Sequence, residues 1–206
     1  MDVAKLQITA NAEPVDETIE RVRIYTMGAV NPTRYAHSVR TAQIAQKLCS
    51  LFDIDEKRGY LAGIGHDMCK DMPDQLLLSL VTHDGRPVSE LEQKKPALLH
   101  GRCAAVKMRE DFGIVDTDIL EAVAYHTFGG ASIGPLAKII YVADKVEPGR
   151  EHVTEAYLKH LFALSLDEIV YSVLSENLDY LKKKGKAVAP ETLVFYEALK
   201  KQLKNK

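Results

Sequence analysis

The chain has 206 residues, of which 46% are hydrophobic and 27% are charged, as in an ordinary soluble globular protein. A single domain of this length buries roughly 70% of the surface that its unfolded chain exposes. The formal net charge of −2 provides no overall positive field for a nucleic-acid polymer or an anionic membrane, so neither is an expected partner.

Local composition also argues against a membrane or secreted protein. The longest apolar runs, such as "LLLSLV" at 76–81, are far shorter than a membrane span, and the N-terminal segment lacks the layout of a signal peptide. The cysteines are odd in number, scattered and without Cys-x-x-Cys spacing: Cys49, Cys69 and Cys103. This pattern predicts a reduced, cytoplasmic protein without disulfides or a thiolate metal site.

Helical signals follow one another along the chain, and no stretch shows sustained strand alternation. Asn31-Pro32 combines an N-cap with proline at the first helical position, which predicts a helix start. The apolar stripe of this helix is predicted to contain His37, Thr41, Ile44, Leu48 and Leu51. Further helices are predicted at about 55–69, from Pro73, at 99–112, 117–126, 134–146, 154–163 and 165–184, and from Pro190 onward.

The stretch "THDGRPVSELEQKKP" at 82–96 is the only long loop candidate. No internal repeat or convincing domain boundary appears in the sequence. The prediction is therefore an all-α fold with an N-terminal tail at residues 1–14 and one domain at 15–206.

His66 and Asp67 stand inside "IGHDMCKD", a segment that otherwise has the pattern of a buried helix. A carboxylate removed from water is costly unless it is paired or bound to a metal. In a helix, His66 and Lys70 would share a face, with Asp67 about 100° around the axis. One helix end would then offer two ligands to a metal and one cation to a phosphate.

Other ligand-type residues recur at inward positions of different predicted helices. His37 lies on an apolar stripe, His100 opens a helix, His126 closes "ILEAVAYH", and Asp144 interrupts "KIIYVADKVEP". If these side chains converge on Asp67, a metal would explain why the carboxylate is tolerated.

Each residue also has a simpler explanation when it is taken alone. His37 is then a hydrogen-bonded core histidine, and His126 a helix C-terminal residue favoured by the dipole. Asp144 would be half of an ordinary ion pair with Lys138 or Lys145.

The motifs "RYAHS", "HDMCKD", "LLHG", "AYHTFGG" and "KIIYVADKVEPGR" resemble the HD phosphohydrolase superfamily. Within it, they resemble the symmetrical diadenosine tetraphosphate hydrolases. The resemblance runs from about residue 20 to residue 200 and implies an HD-domain helical bundle. Two positions depart from the family's pattern: Phe128 replaces a small hydroxyl residue, and Lys145 replaces a residue that is often aromatic.

The resemblance implies a centre of two divalent metal ions, with iron expected and manganese or cobalt as alternatives, which suit nitrogen and oxygen ligands. It assigns one ion to His37, His66, Asp67 and Asp144, and the other to Asp67, His100 and His126. It assigns catalysis to Asp67 and Lys70, with either Asp67 or Asp71 handling a proton. It assigns substrate binding to Lys70, Thr127, Gly129, Lys138 and Arg150.

The expected reaction is the symmetrical hydrolysis of diadenosine tetraphosphate to two ADP by a water that bridges the metals. A phosphatase of nucleoside mono-, di- or triphosphates would use the same centre. A nucleotide-binding regulatory module without activity is the alternative from another class. A cyclic-dinucleotide phosphodiesterase is disfavoured because no Gly-Tyr-Pro signature follows the His-Asp pair. The sequence leaves open whether the chain forms a homodimer.

Overall fold

A computed structural model describes residues 15–205 of the chain, and the predicted tail at residues 1–14 lies outside this range. The described part contains eleven α-helices and two short 3-10 helices, Val81–Asp84 and Pro96–Leu99. The α-helices are α1 (Val15–Ala29), α2 (Pro32–Leu51), α3 (Glu56–Gly65), α4 (Asp74–Leu80), α5 (Glu90–Lys94), α6 (His100–Phe112), α7 (Thr117–Tyr125), α8 (Pro135–Val146), α9 (Glu155–Leu161), α10 (Leu166–Lys183) and α11 (Pro190–Lys204).

The all-α prediction is confirmed, since no strand occurs between residues 15 and 205. No helix in this range is long and apolar enough to cross a bilayer. The three cysteines are free thiols, as the sequence predicts, and the structure buries all of them.

Helix starts follow the capping signals that are visible in the sequence. Asn31 accepts a hydrogen bond from the backbone N–H of Arg34 at 3.0 Å, and Pro32 occupies the first turn of α2. Ser165 and Glu168 form a capping box at the start of α10. These local interactions determine where the two helices begin.

Close packing of α2, α3 and α8 determines where the buried polar residues meet. A Cβ atom added to Gly63 in α3 would lie 2.6 Å from Cα of Ala42 in α2, so only glycine permits this approach. Helix α8 packs against α2, α3, α7 and α10, and its Ile139 and Ile140 are fully buried. The C-terminal end of α3 therefore lies beside α2 and α8.

Helix α3 is shorter than predicted, because it ends at Gly65 and the chain continues in tight turns. The N–H of Met68 donates to Gly65 and that of Lys70 donates to Asp67, both three residues back. The prediction that His66 and Lys70 share one face of a helix is therefore wrong, because the helix ends before both residues. Lys70 instead lies one tight turn after Asp67, with Nζ 4.0 Å from its Oδ1.

Three further features differ from the sequence prediction. Helix α1 was not predicted, and the expected loop at 82–96 contains most of a 3-10 helix and all of α5. Leu51 is 46% exposed instead of buried, because it lies in the last turn of α2 at the edge of the core.

Arg102 of α6 holds the segment before α6 in place. Its Nε and Nη2 donate to the carboxylate of Asp84 at 2.7 and 2.9 Å, and its Nη1 donates to Glu92 at 3.1 Å. Arg102 and Glu92 are buried, so the ion pairs are shielded from water. This explains why a polar stretch without a hydrophobic pattern is nevertheless ordered.

Replacing Arg102 with alanine should lower the free energy of unfolding by about 3–5 kcal/mol, because two carboxylates lose a buried partner. Urea denaturation measures this loss. Arg109→Ala is the matched control on the same helix, since its partly exposed ion pair with Glu110 should contribute less than about 1 kcal/mol. Equal losses in the two variants would contradict this role for Arg102.

Candidate metal centre

Asp67 lies between two pairs of histidines that come from different parts of the chain. Its Oδ1 atom lies 3.0 Å from Nε2 of His100 and 3.6 Å from Nε2 of His126. Its Oδ2 atom lies 3.7 Å from Nε2 of His37 and 3.6 Å from Nε2 of His66. The carboxylate of Asp67 is 3% exposed, so burial has removed it almost completely from water. The structure thus brings together the histidines that the sequence analysis singled out.

The other ring nitrogen of each histidine is held away from the cluster. Each Nδ1 lies within hydrogen-bond distance of an oxygen: Glu147 for His37 at 3.1 Å, and the carbonyls of Gly63 for His66, Ala97 for His100 and Val123 for His126, each at 2.7 Å. A carbonyl only accepts hydrogen bonds, so Nδ1 of these three rings carries the proton. A neutral ring in this tautomer directs the unprotonated Nε2 toward Asp67, which is the orientation of a metal-binding histidine.

Asp144 of α8 completes the cluster on the side of His37 and His66. Its Oδ1 lies 3.1 Å from Nε2 of His37 and 3.9 Å from Nε2 of His66. Arg150 donates to the same oxygen at 2.9 Å, and Nζ of Lys145 lies 3.4 Å from Oδ2. Asp144 is more exposed than Asp67, at 16%, so it lies where the cluster opens to solvent.

The electrostatic environment keeps the two carboxylates ionised and two of the histidines neutral. Burial opposes the charge on Asp67 and on Asp144, but interactions with the surrounding side chains outweigh burial and hold the pKa of each carboxyl well below the usual range. Burial lowers the pKa of His66 to about 3 and also lowers the pKa of His100. Charged carboxylates and neutral imidazoles are the forms that bind cations.

The pKa of His37 shifts in the opposite direction from those of His66 and His100. Burial lowers its pKa, but its hydrogen bonds with the carboxylates of Asp144 and Glu147 outweigh burial and raise it. Glu147 is itself buried, and hydrogen bonds from His37, Arg40 and the Gly149 N–H overcome this burial and lower its pKa to about 2. A firmly ionised carboxylate therefore orients His37.

The donor set fits divalent metal ions. Two groups of three residues each offer ligand atoms within 4.8 Å of one another, namely His37, His66 and Asp67, and Asp67, His100 and His126. Nε2 of His66 is buried without a hydrogen-bond partner. Such an atom is costly to leave unsatisfied, and a bound cation would satisfy it. Imidazole and carboxylate without thiolate suit metals such as iron, manganese and cobalt.

Several cations surround the open side of the cluster. A cavity of about 260 Å³ is lined by Arg34, Asp67, Lys70, His100, His126, Thr127, Asp144, Lys145 and Arg150. Arg34 donates to Oδ2 of Asp67 at 2.9 Å, and Nζ of Lys70 lies 3.1 Å from Nε2 of His100. The structure thus brings three of the predicted substrate-binding residues, Lys70, Thr127 and Arg150, to the cluster.

Two other predicted residues have different surroundings. Lys138 donates to Asp167 of α10 at 2.8 Å and does not line the cavity. Asp71 accepts two hydrogen bonds from Asn31 at the start of α2. Their partners therefore place Lys138 and Asp71 in the packing of the helices and outside the cluster.

Gly129 has a conformational role. Its φ of 71° is in the left-handed region, and an added Cβ would lie 2.2 Å from the ring of Phe195. Glycine is required here by the backbone and by this close contact, and the residue does not line the cavity beside Asp67.

Arg34 and Glu147 were missed as functional candidates. Each lies three residues from a recognised ligand, Arg34 before His37 and Glu147 after Asp144. Spacing of three places Arg34 and His37 on one side of α2, so helical periodicity was the available signal. For Glu147, which follows the last residue of α8, the sequence carries no comparable signal.

Comparisons with known proteins agree with this geometry. Residues 34–149 match the HD domain family. The chain is similar to the symmetrical bis(5'-nucleosyl)-tetraphosphatase of Bacillus subtilis, with 31% identity over 81% of this chain and 89% of the relative. The Staphylococcus aureus protein of the same name is 29% identical over 85% of this chain and 91% of its own length.

A solved structure is also similar over most of the chain. It is a crystal structure from Clostridium acetobutylicum, described as a predicted HD superfamily hydrolase involved in NAD metabolism. The TM-score is 0.82 at 26% sequence identity, and the match covers 89% of this chain and 97% of that one. The fold of the chain is thus found in a solved HD superfamily structure.

Addition of Co²⁺ or Mn²⁺ to chelator-treated protein should raise its melting temperature, because an ion that binds only the folded state stabilises it by mass action. In His66→Ala this increase should be largely lost, since a buried ligand is missing. The measurement is thermal unfolding of each variant with and without metal. His83→Ala is the control, because that histidine is exposed and pairs with Glu110. An undiminished increase in His66→Ala would argue against metal binding at this cluster.

Proposed function

Since the chain belongs to the HD domain family, we propose that it is a metal-dependent hydrolase that cleaves diadenosine tetraphosphate symmetrically into two ADP. The observation that carries this proposal is the buried carboxylate of Asp67, which is shared by two histidine pairs. Relatives named symmetrical bis(5'-nucleosyl)-tetraphosphatase match most of the chain and supply the expected substrate.

The ligand set is proposed to hold two divalent ions. His37, His66, Asp67 and Asp144 would bind one, and Asp67, His100 and His126 would bind the other. Iron is the expected metal, with manganese and cobalt as alternatives. When bound, such ions lower the pKa of a coordinated water and neutralise phosphate oxygens.

Cations around both carboxylates support binding of a polyphosphate. Arg34 and Lys70 accompany Asp67, whereas Lys145 and Arg150 accompany Asp144. An arginine that now donates to a carboxylate can donate to a phosphate oxygen in the same way. A chain of four phosphates would thus find cations on either side of its central bond, which favours symmetrical cleavage.

Lys70 is proposed to stabilise the leaving phosphate. Its Nζ lies between Asp67 and His100 at the opening of the cluster, and among residues 15–205 no carboxylate lies closer to it than 4.0 Å. A positive charge placed where negative charge develops lowers the barrier of phosphoryl transfer. Of the two carboxylates considered for handling a proton, Asp71 accepts hydrogen bonds from Asn31 outside the cluster, so we assign this role to Asp67.

The alternatives have less support. A phosphatase of nucleoside mono-, di- or triphosphates would use the same ligands, but the relatives that match most of the chain are named for a tetraphosphate substrate. A regulatory module without activity would not require six ligand-type residues to converge. The free thiols accord with the cytoplasmic location that we propose.

Product analysis tests the proposed reaction directly. Purified protein supplied with metal should convert diadenosine tetraphosphate into ADP alone, because attack occurs at the central anhydride. Chromatography of the nucleotides identifies the products, and a chelator-treated sample is the control that should be inactive. Equal amounts of ATP and AMP would show asymmetric cleavage and would overturn the proposal.

Replacement of His100 or His126 distinguishes a two-metal centre from a one-metal centre. Either alanine variant should lower bound metal from about two to about one per chain and reduce turnover by orders of magnitude, because only the second ion needs these residues. Elemental analysis and the hydrolysis assay measure the two effects. The control is His160→Ala, which removes an exposed histidine of α9 that is not among the proposed ligands. Wild-type metal content and turnover in both ligand variants would support a one-metal centre.

A further inference from the structure

A second and larger cavity adjoins the metal cluster. Its volume is about 690 Å³, and it shares Asp144, Lys145 and Arg150 with the smaller cavity beside Asp67. Small-molecule sites commonly have roughly 300–1,000 Å³, so this cavity is large enough for a nucleoside. A ligand that reaches the cluster can therefore extend into it.

One face of α10 forms a wall of this cavity. Val173, Glu176, Asn177 and Tyr180 line it, and their spacing of i, i+3, i+4 and i+7 places them along one side of the helix. Tyr157 of α9 also lines the cavity and donates its hydroxyl hydrogen bond to Glu176 at 2.7 Å. The wall thus combines an apolar surface, two aromatic rings and a carboxylate that is held in place.

Charge changes sign along this cavity. Lys145 and Arg150 lie where it meets the metal cluster, whereas Glu151 and Glu176 are among its other lining residues. Carboxylates repel phosphates but accept hydrogen bonds from hydroxyl groups. A nucleotide has the matching polarity, with phosphates at one end and sugar hydroxyls and a flat base beyond them.

We propose that this cavity, here called the α10 cavity, binds one nucleoside of the substrate, with the base stacked on Tyr180 and the ribose hydroxyls donating to Glu176. The inference rests on the proposed function, because it places the phosphates of the same ligand at the metal cluster. Tyr180 is 50% exposed, so packing leaves much of its ring available. Stacking on an aromatic ring is strong and tolerates different bases.

Two hydrolysis-resistant ligands, α,β-methylene-ADP and methylenediphosphonate, isolate the nucleoside contribution. Isothermal titration of the Mn²⁺-loaded protein should show that α,β-methylene-ADP binds at least about tenfold more tightly than methylenediphosphonate, because base stacking adds to phosphate binding. Equal affinities would overturn the proposal. The comparison requires no turnover, so it can fail while diadenosine tetraphosphate is still cleaved to ADP, and it can succeed if that cleavage is absent.

Substitutions in α10 test which residues bind the nucleoside part of the ligand. Tyr180→Ala should weaken α,β-methylene-ADP by about tenfold and leave methylenediphosphonate unchanged, whereas Tyr180→Phe keeps the ring and should retain the affinity. Glu176→Gln removes the anionic acceptor and should weaken α,β-methylene-ADP several-fold. Asp179→Ala is the matched control, since this exposed neighbour on α10 is not among the lining residues. An equal loss for both ligands in Tyr180→Ala, or unchanged nucleotide affinity in Tyr180→Ala or Glu176→Gln, would contradict the proposed contacts.

Discussion

The burial of an ionised carboxylate at Asp67 is the constraint on which the arrangement of the surrounding helices depends. A charge in this position is destabilising unless several groups compensate for it. The histidines that surround Asp67 come from α2, from the end of α3, from the start of α6 and from the end of α7. These helices must pack so that a side chain of each reaches the Asp67 carboxylate. The packing of the helices and the arrangement of the ligand residues are therefore linked.

Two of the histidines lie at helix C-termini, where each has both a structural and a ligand-orienting role. His66 and His126 cap the C-terminal ends of α3 and α7, where the last carbonyls lack partners within the helix. The imidazole Nδ1 of each contacts such a carbonyl, that of Gly63 or Val123, so each ring satisfies the backbone and is itself oriented. Orientation of these ligands is therefore encoded locally, whereas the orientation of His37 requires Glu147, 110 residues away. Second contacts of this kind position metal ligands in proteins.

Much of this arrangement could be predicted from the sequence, and the errors have physical causes. Capping signals at Asn31 and Ser165 located helix starts correctly, because they depend on neighbouring residues. The sequence pattern through Cys69 is still helical, so it predicts that His66 and Lys70 share a helix face and does not reveal the tight turns after Gly65. Lys138 and Gly129 remain predicted substrate residues, but the sequence does not show that Lys138 pairs with Asp167 or that Gly129 lies against Phe195. Such long-range contacts have no local signature.

Anomalous X-ray diffraction from crystals of the metal-loaded protein, recorded at the absorption edge of the bound metal, tests the central claim that Asp67 is shared by two ions. Two anomalous peaks are expected roughly 3.5–4 Å apart, one on each side of the Asp67 carboxylate. The first should be adjacent to His37, His66 and Asp144, and the second to His100 and His126. A single peak bound by only one of these histidine pairs, or metal bound away from Asp67, would contradict this claim.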